Sequence, residues 1–345
     1  MAFASTLRRS FSLFVLGLFF AFSPAIAQQQ LKTISLPADE NHPDGFAFTG
    51  DGNSLILWYA RRVIDVWDIK TGTRREIYDG SFSDIYISPH SNLLVLVTQI
   101  SSNSELIFLD DLGMIHYQYS LPPDHQILWA QWSLNGSAFD LLRAELSSRA
   151  GGTYSKASLQ TVIQSIRVGG FQSSEFPVPE ATTQFWYSHA ESLGLICLTH
   201  SQGEEDSPSV SAVYDSFGKS IALTPDFKHL CVSEGRRYYD EYPDDAEMSF
   251  RILDARTHQV LHTFRSSDPT KLTGYSAGEW NPQNDDLLVL EHSSESKEDP
   301  TYSIFSVSTG RTLHKISGSD YAWSSDGKKL AVIQNHKIFL IPIGN

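Results

Sequence analysis

The chain has 345 residues, 41% of them hydrophobic, with 26 basic against 40 acidic side chains and a formal net charge of −14. That length builds one large β domain or two ordinary ones, and the acidic balance opposes binding to nucleic acid phosphates, which needs a basic stripe. Two cysteines with no CxxC and no Cys/His cluster leave structural zinc unsupported.

In chain order, the first predicted segment is a leader. Arg8 and Arg9 precede an apolar run from Leu13 to Phe22 and a small-x-small site at Ala25-Ile26-Ala27, the three parts of a secretory signal peptide cleaved after Ala27. An apolar run of about ten residues is too short to span a bilayer, which takes roughly 20. Removing 27 of the 345 residues leaves 318 for a single domain, 28–345, and takes the charge from −14 to −16. The expected location is therefore extracytoplasmic, periplasmic or secreted, with no membrane span after cleavage. That compartment permits a disulfide without requiring one, and Cys197 (in LGLICLTH) and Cys231 (in HLCVSEG) are expected to be two separate buried thiols. In a eukaryotic host Asn135-Gly136-Ser137 would accept a glycan.

From Phe46 onward one pattern recurs: an apolar residue, then Ser, Thr or Asn, a short turn, and an apolar strand. The anchors are Thr49, Ser88, Ser133, Ser188, Thr224, Asn281 and Ser324, spaced 39, 45, 55, 36, 57 and 43 residues apart. That spacing, about 46 on average, is the period of four-stranded propeller blades. Before each anchor stands Phe48, Ile87, Trp132, Tyr187, Leu223, Trp280 or Trp323, a column expected to fill the space between stacked sheets. A second strand column runs into turns holding Asp68, Asp110, Asp215 and Asp254, read as turn-makers that bond local backbone amides.

VWDIKTG (66–72) and AWSSDGKKLAV (322–332) resemble the strand ends and strand-turn-strand units of WD-repeat, YVTN and TolB-like β-propellers. The resemblance covers nearly all of 31–345 and implies an all-β propeller. No repeat has the Gly-His pair of true WD repeats, so their buried hydrogen-bond network is not expected. Seven four-stranded blades are the first choice, and six blades plus an irregular insert the alternative. The last unit stops after KIFLIPI, and LKTISLP (31–37) has the look of an outer strand, so the N-terminal strand is expected to complete the last blade and close the ring. Between Asp215 and Thr224 there is too little chain for an outer strand and a new inner one. Either the fourth blade lacks its outer strand, or KSIAL serves as that strand and the fifth blade is irregular.

The connections between second and third strands are long in units three to six, and in a propeller equivalent connections share one face. Three are acidic: Glu204, Glu205 and Asp206; Asp240, Glu241, Asp244, Asp245 and Glu247, interleaved with Tyr238, Tyr239 and Tyr242; and Glu295, Glu298 and Asp299. A solvated surface is the plain reading of such runs. The functional one is a docking face for a protein partner with basic residues, carboxylates steering and tyrosines supplying contact area. Calcium is a minor alternative, because no DxDxDG loop is present; no other cofactor and no metal is expected.

Catalysis is the competing class. Some propellers that this chain resembles are lactonases or related hydrolases with a metal or base at the central channel, and the inner strands here offer Asp84, His189 and Glu279. No pair at defined spacing supports acid-base chemistry. Gly274-Tyr275-Ser276-Ala277-Gly278 matches GxSxG, but EWNPQNDDLLVL follows it as strand, turn and strand rather than as the helix a nucleophile elbow needs. The expectation is an exported propeller that binds a partner, with a channel hydrolase as the alternative and no catalytic residue assigned.

Overall fold

The computed structural model describes residues 32–36, 42–100, 103–123, 125–133, 135–145, 161–177, 185–190, 195–200, 209–215, 219–222, 236–241, 249–265, 274–293 and 300–344. Every regular element among them is a β-strand, and all belong to one compact unit, Lys32–Asn345.

Strands that follow one another in sequence pair antiparallel. The first such sheet is β2 (Gly45–Phe48), β3 (Ser54–Tyr59), β4 (Val63–Asp68) and β5 (Arg74–Asp79). The second is β6 (Asp84–Ile87), β7 (Leu93–Ile100), β8 (Asn103–Asp110) and β9 (Ile115–Ser120). The third is β10 (His125–Trp132), β11 (Ala138–Glu145), β12 (Thr161–Arg167) and β13 (Gln172–Pro177), and the fourth β14 (Phe185–Ala190), β15 (Leu195–His200), β16 (Ser209–Asp215) and β17 (Ser220–Ile221). The fifth has three strands among the described residues: β18 (Tyr238–Glu241), β19 (Ser249–Asp254) and β20 (Val260–Arg265). The sixth is β21 (Gly274–Trp280), β22 (Leu287–Ser293), β23 (Thr301–Ser306) and β24 (Arg311–Ser317). The last joins β25 (Asp320–Trp323), β26 (Lys329–Gln334) and β27 (Lys337–Pro342) to β1 (Lys32–Ser35), which pairs with β27 from Lys32↔Leu340 to Ser35↔Lys337. LKTISLP thus supplies the fourth strand, and Ile34 and Leu36 bury their side chains beside it.

The recurring anchors have a local physical cause. Thr49, Ser88, Ser133, Asn281 and Ser324 are all buried, and each side-chain oxygen accepts a backbone N–H of the turn it opens: Ser54 N at 3.1 Å, Ser91 N at 3.2 Å, Ala138 N at 2.8 Å, Gln283 N at 2.9 Å and Lys329 N at 2.9 Å. A buried turn amide without that partner would be left unsatisfied. The turn-making aspartates behave as expected at three positions. Asp68 accepts Thr71 N, Asp110 accepts Leu112 N and Met114 N, and Asp254 accepts Arg256 N and Thr257 N. The backbone N–H of Thr71 and of Thr257 is the main reason that Asp68 and Asp254 stay below the usual carboxylate range.

The irregular region resolves toward the second expectation. Ser220–Ile221, inside KSIAL, pairs with β16 as a two-residue outer strand. In the fifth sheet Tyr238–Glu241, expected in a connection, forms β18 against β19. Burial of one side chain is the cause: Tyr238 is 3% exposed and packs with Phe250 and Ile252, while Tyr239, Asp240 and Glu241 are half-buried. Cys197 lies in β15, whereas Cys231 falls outside the described residues, as does Thr224.

Candidate functional site: the ends of the inner strands

The first strands of four sheets converge. β2, β6, β21 and β25 end around a cavity of about 550 Å³ walled by Phe48, Ile87, Trp280 and Trp323, with Arg236 and Glu279 at its edge. Three members of the expected column make hydrogen bonds across seams between sheets. The indole N–H of Trp132 donates to the carbonyl of Tyr86 (3.0 Å), that of Trp323 to the carbonyl of Glu279 (3.2 Å), and that of Trp280 to the Asp240 carboxylate (3.1 Å). Each bond crosses from one sheet to the sheet before it, so these tryptophans lock the seams and are packing residues.

Among the channel candidates, Glu279 lines the cavity. Its backbone N–H donates to the Tyr321 hydroxyl at 2.9 Å. Glu279 is exposed as a residue, yet burial of its carboxyl, then the Asp320 and Glu291 carboxylates, push it above the usual range. Because water still reaches it, solvent screening limits that effect. Asp320 is raised by burial and Glu291, against the Tyr321 N–H and His42, which lower it. Asp84 opens β6, exposed, and is not part of the cavity wall. His189 lies in β14 opposite Ile196. Ser276 stands in β21 opposite Glu291, inside a sheet, with no helix following among the described residues. The GxSxG match is therefore not a nucleophile elbow.

Arg236 escaped the sequence reading. Its guanidinium donates to the carbonyl of Asn281 (3.2 Å) and lies 3.6 Å from Asp285. Tyr321 escaped it too, since its partners lie 42 residues away. Of the acidic group, Tyr238 is buried in the sheet, the Tyr239 hydroxyl meets His258 at 3.1 Å, and Asp240 accepts the Trp280 bond. That removes Tyr238 from any contact surface and gives Asp240 a structural task. Glu241 is half-buried at the end of β18. Glu204, Glu205, Asp206, Tyr242, Asp244, Asp245, Glu247, Glu295, Glu298 and Asp299 lie outside the described residues. No group of three or more His, Cys, Asp or Glu able to hold a metal ion occurs among the described residues, and no described helix is long and apolar enough to cross a membrane.

No known family profile and no curated protein matches the chain. Solved structures do. The β-propeller domain of Cps50 (Swd1) from Myceliophteria thermophila superposes with a TM-score of 0.54 at 11% identity, over 90% of this chain and 100% of that one. Hydrazine synthase from Kuenenia stuttgartiensis superposes with a TM-score of 0.51 at 9% identity, over 90% of this chain and 97% of the other. At such identities the likeness speaks to architecture alone, and with the sheets described above it shows the fold to be an all-β propeller.

Proposed function

We propose that this protein is an exported, seven-bladed β-propeller that binds a protein partner with a basic surface through the acidic connections at one end of its blades. The observation that carries this reading is topological. In sheets four and six, residues 201–208 and 294–299 follow β15 and β22 and join the second strand to the third; in sheet five, residues 242–248 join β18 to β19. β18 takes the place of a second strand: Ala255 N donates to the carbonyl of Arg237, just before β18, as Asp111 N does to Asn92 before β7 and Val307 N to Asp286 before β22. Equivalent connections in successive blades lie on one side, so Glu204, Glu205, Asp206, Asp244, Asp245, Glu247, Glu295, Glu298 and Asp299 gather there. Carboxylates so gathered steer a basic partner and raise its encounter rate.

Closure of the ring rests on repeated contacts. The turn glycine of one sheet packs on the anchor of the sheet before it: Gly136 on Ser88, and Gly327 on Asn281. Gly52 of the first sheet stands in the same relation to Ser324 of the last. The Ser325 hydroxyl donates to the carbonyl of Gly50, and Lys329 Nζ to that of Gly52. The extracytoplasmic location rests on the sequence of the leader alone: Arg8 and Arg9, the apolar run over 13–22 and Ala25-Ile26-Ala27.

The test is affinity capture from the host's extracytoplasmic fraction with three forms of the protein. One is wild type, one carries Asp244→Asn, Asp245→Asn and Glu247→Gln, and a control carries Glu76→Gln and Asp79→Asn on an outer strand. A partner held by wild type and control, released by salt and lost by the first variant, supports the acidic end as the binding surface. Equal recovery by all three would reduce that end to a solvated surface.

A further inference from the structure

Outer strands leave their far edge unpaired, and proteins usually guard such edges with charge, proline or brevity. Most outer strands here follow that rule. β5 carries Arg74, Arg75, Glu76 and Asp79; β13 carries Glu175 and Pro177; β20 ends in Arg265; β24 carries Arg311 and Lys315; β1 carries Lys32; and β17 is two residues long. β9, IHYQYS, has no Lys, Arg, Asp, Glu or Pro. Leu112, Met114 and Ile115, at its start, are 64%, 56% and 49% exposed, and they account for half of the exposed large hydrophobic side chains among the described residues.

This corner is rigid. Asp110 clamps the turn through Leu112 N and Met114 N, both at 2.9 Å, and meets His116 at 2.9 Å. Arg75 of the neighbouring sheet donates to the carbonyl of Asp111. Tyr117 stacks on Phe171 at 4.8 Å. A surface held this firmly gives up little conformational entropy on binding. The ladder also fixes which backbone groups are open. Leu121 N donates to Ser104 O, so in the regular pairing from Glu105↔Ser120 to Phe108↔Tyr117 the residues Tyr117 and Tyr119 turn their N–H and C=O toward β8. Gln118 and Ser120 turn theirs away from it.

We infer that the β9 edge, with Leu112, Met114 and Ile115, is the contact between two copies of this chain, paired antiparallel about a two-fold axis at Gln118. A second copy fits for two reasons. An edge centred on Gln118 is self-complementary: Gln118 exchanges two N–H···O bonds with its symmetry mate, and the apolar corner of each copy falls beside Leu121-Pro122-Pro123 of the other. A chain of net charge −14, or −16 without its leader, repels itself over its acidic surfaces, and residues 115–121, which pair in this register, bring no carboxylate against another. The inference stands apart from the acidic end proposed above.

Sedimentation velocity on the purified protein tests it, over a concentration range reaching about 100 μM, since an interface this small is expected to have a micromolar dissociation constant. Wild type should shift toward twice the monomer mass as concentration rises. Gln118→Lys, which sets two ammonium groups across the axis and leaves the fold's own ladder intact, should stay monomeric with an unchanged melting temperature. Met114→Lys, away from the axis, should weaken the dimer at least tenfold. A wild type monomeric throughout, or a dimer unaffected by Gln118→Lys, would overturn the inference.

Discussion

Two seams between adjacent sheets use the same indole-to-carbonyl bond in opposite surroundings. Between the second and third sheets, Trp132 reaches Tyr86 inside a cluster of rings. Phe108 alone touches Trp132, Phe139, Tyr117 and Phe171 at centroid distances of 5.5 to 6.1 Å. Between the sixth and seventh, Trp323 reaches Glu279 beside Tyr321 and the carboxyls of Glu279, Glu291 and Asp320. Burial pushes the Tyr86 phenol up to about 12 and the Tyr321 phenol beyond the ordinary tyrosine range, so both stay neutral at physiological pH. The difference teaches that the blade-to-blade bond is a fixed part of the architecture, while what surrounds it decides whether a seam depends on packing alone or also on pH.

The largest expected effect falls on the aromatic seam. Phe108 is fully buried, and Phe108→Ala should cost about 3–5 kcal/mol in denaturant unfolding; a loss below about 1 kcal/mol would show that the ring cluster does not hold the seam. Next comes Gly278→Ala on the acidic side. A Cβ there would run into the Tyr321 hydroxyl, so a loss of about 1–3 kcal/mol is expected, with much of it recovered in the double variant with Tyr321→Phe. No recovery would place the strain elsewhere. Trp132→Phe and Trp323→Phe sharpen the comparison: each frees one carbonyl, and the two should cost similar amounts, about 1–3 kcal/mol. A clear inequality would mean that the shared bond is not equivalent in the two seams.

The smallest effect separates the seams by pH. Glu279 and Asp320 titrate higher in the folded chain than their ordinary values of 4.5 and 3.8, so their neutral forms favour folding. That contribution is complete below those ordinary values and disappears as pH rises through the raised ones. Glu279→Gln should therefore raise the melting temperature relative to wild type at pH 7 and do so less at pH 4, whereas the Trp132 variant should show no such pH-dependent difference. A Glu279→Gln profile parallel to wild type would contradict the assignment.

What could be read from the sequence follows the range of the forces involved. Thr49, Ser88, Ser133, Asn281 and Ser324 were legible because each clamps a turn within five residues of itself. The pairing of β1 was legible because 31–37 looks like the outer strands elsewhere in the chain. Tyr238–Glu241 was not, since a strand with two charged residues out of four looks like a connection until Phe250 and Ile252 are seen against it. Glu279 was found as an inner-strand acid, but its neighbours Tyr321 and Asp320 come from the next sheet, some 40 residues on. The acidic connections announce themselves by composition, which shows where carboxylates crowd and leaves the partner's chemistry to electrostatic argument.

Closure by the N-terminal strand is the claim that makes the seven sheets one ring. Its most direct test is thermal unfolding of a chain lacking residues 28–37, compared with the chain that begins at 28. Ile34 and Leu36 are 5% and 8% exposed, and stripping both from the last sheet should lower the melting temperature by about 5 °C or more. An unchanged melting temperature would contradict closure by the N-terminal strand.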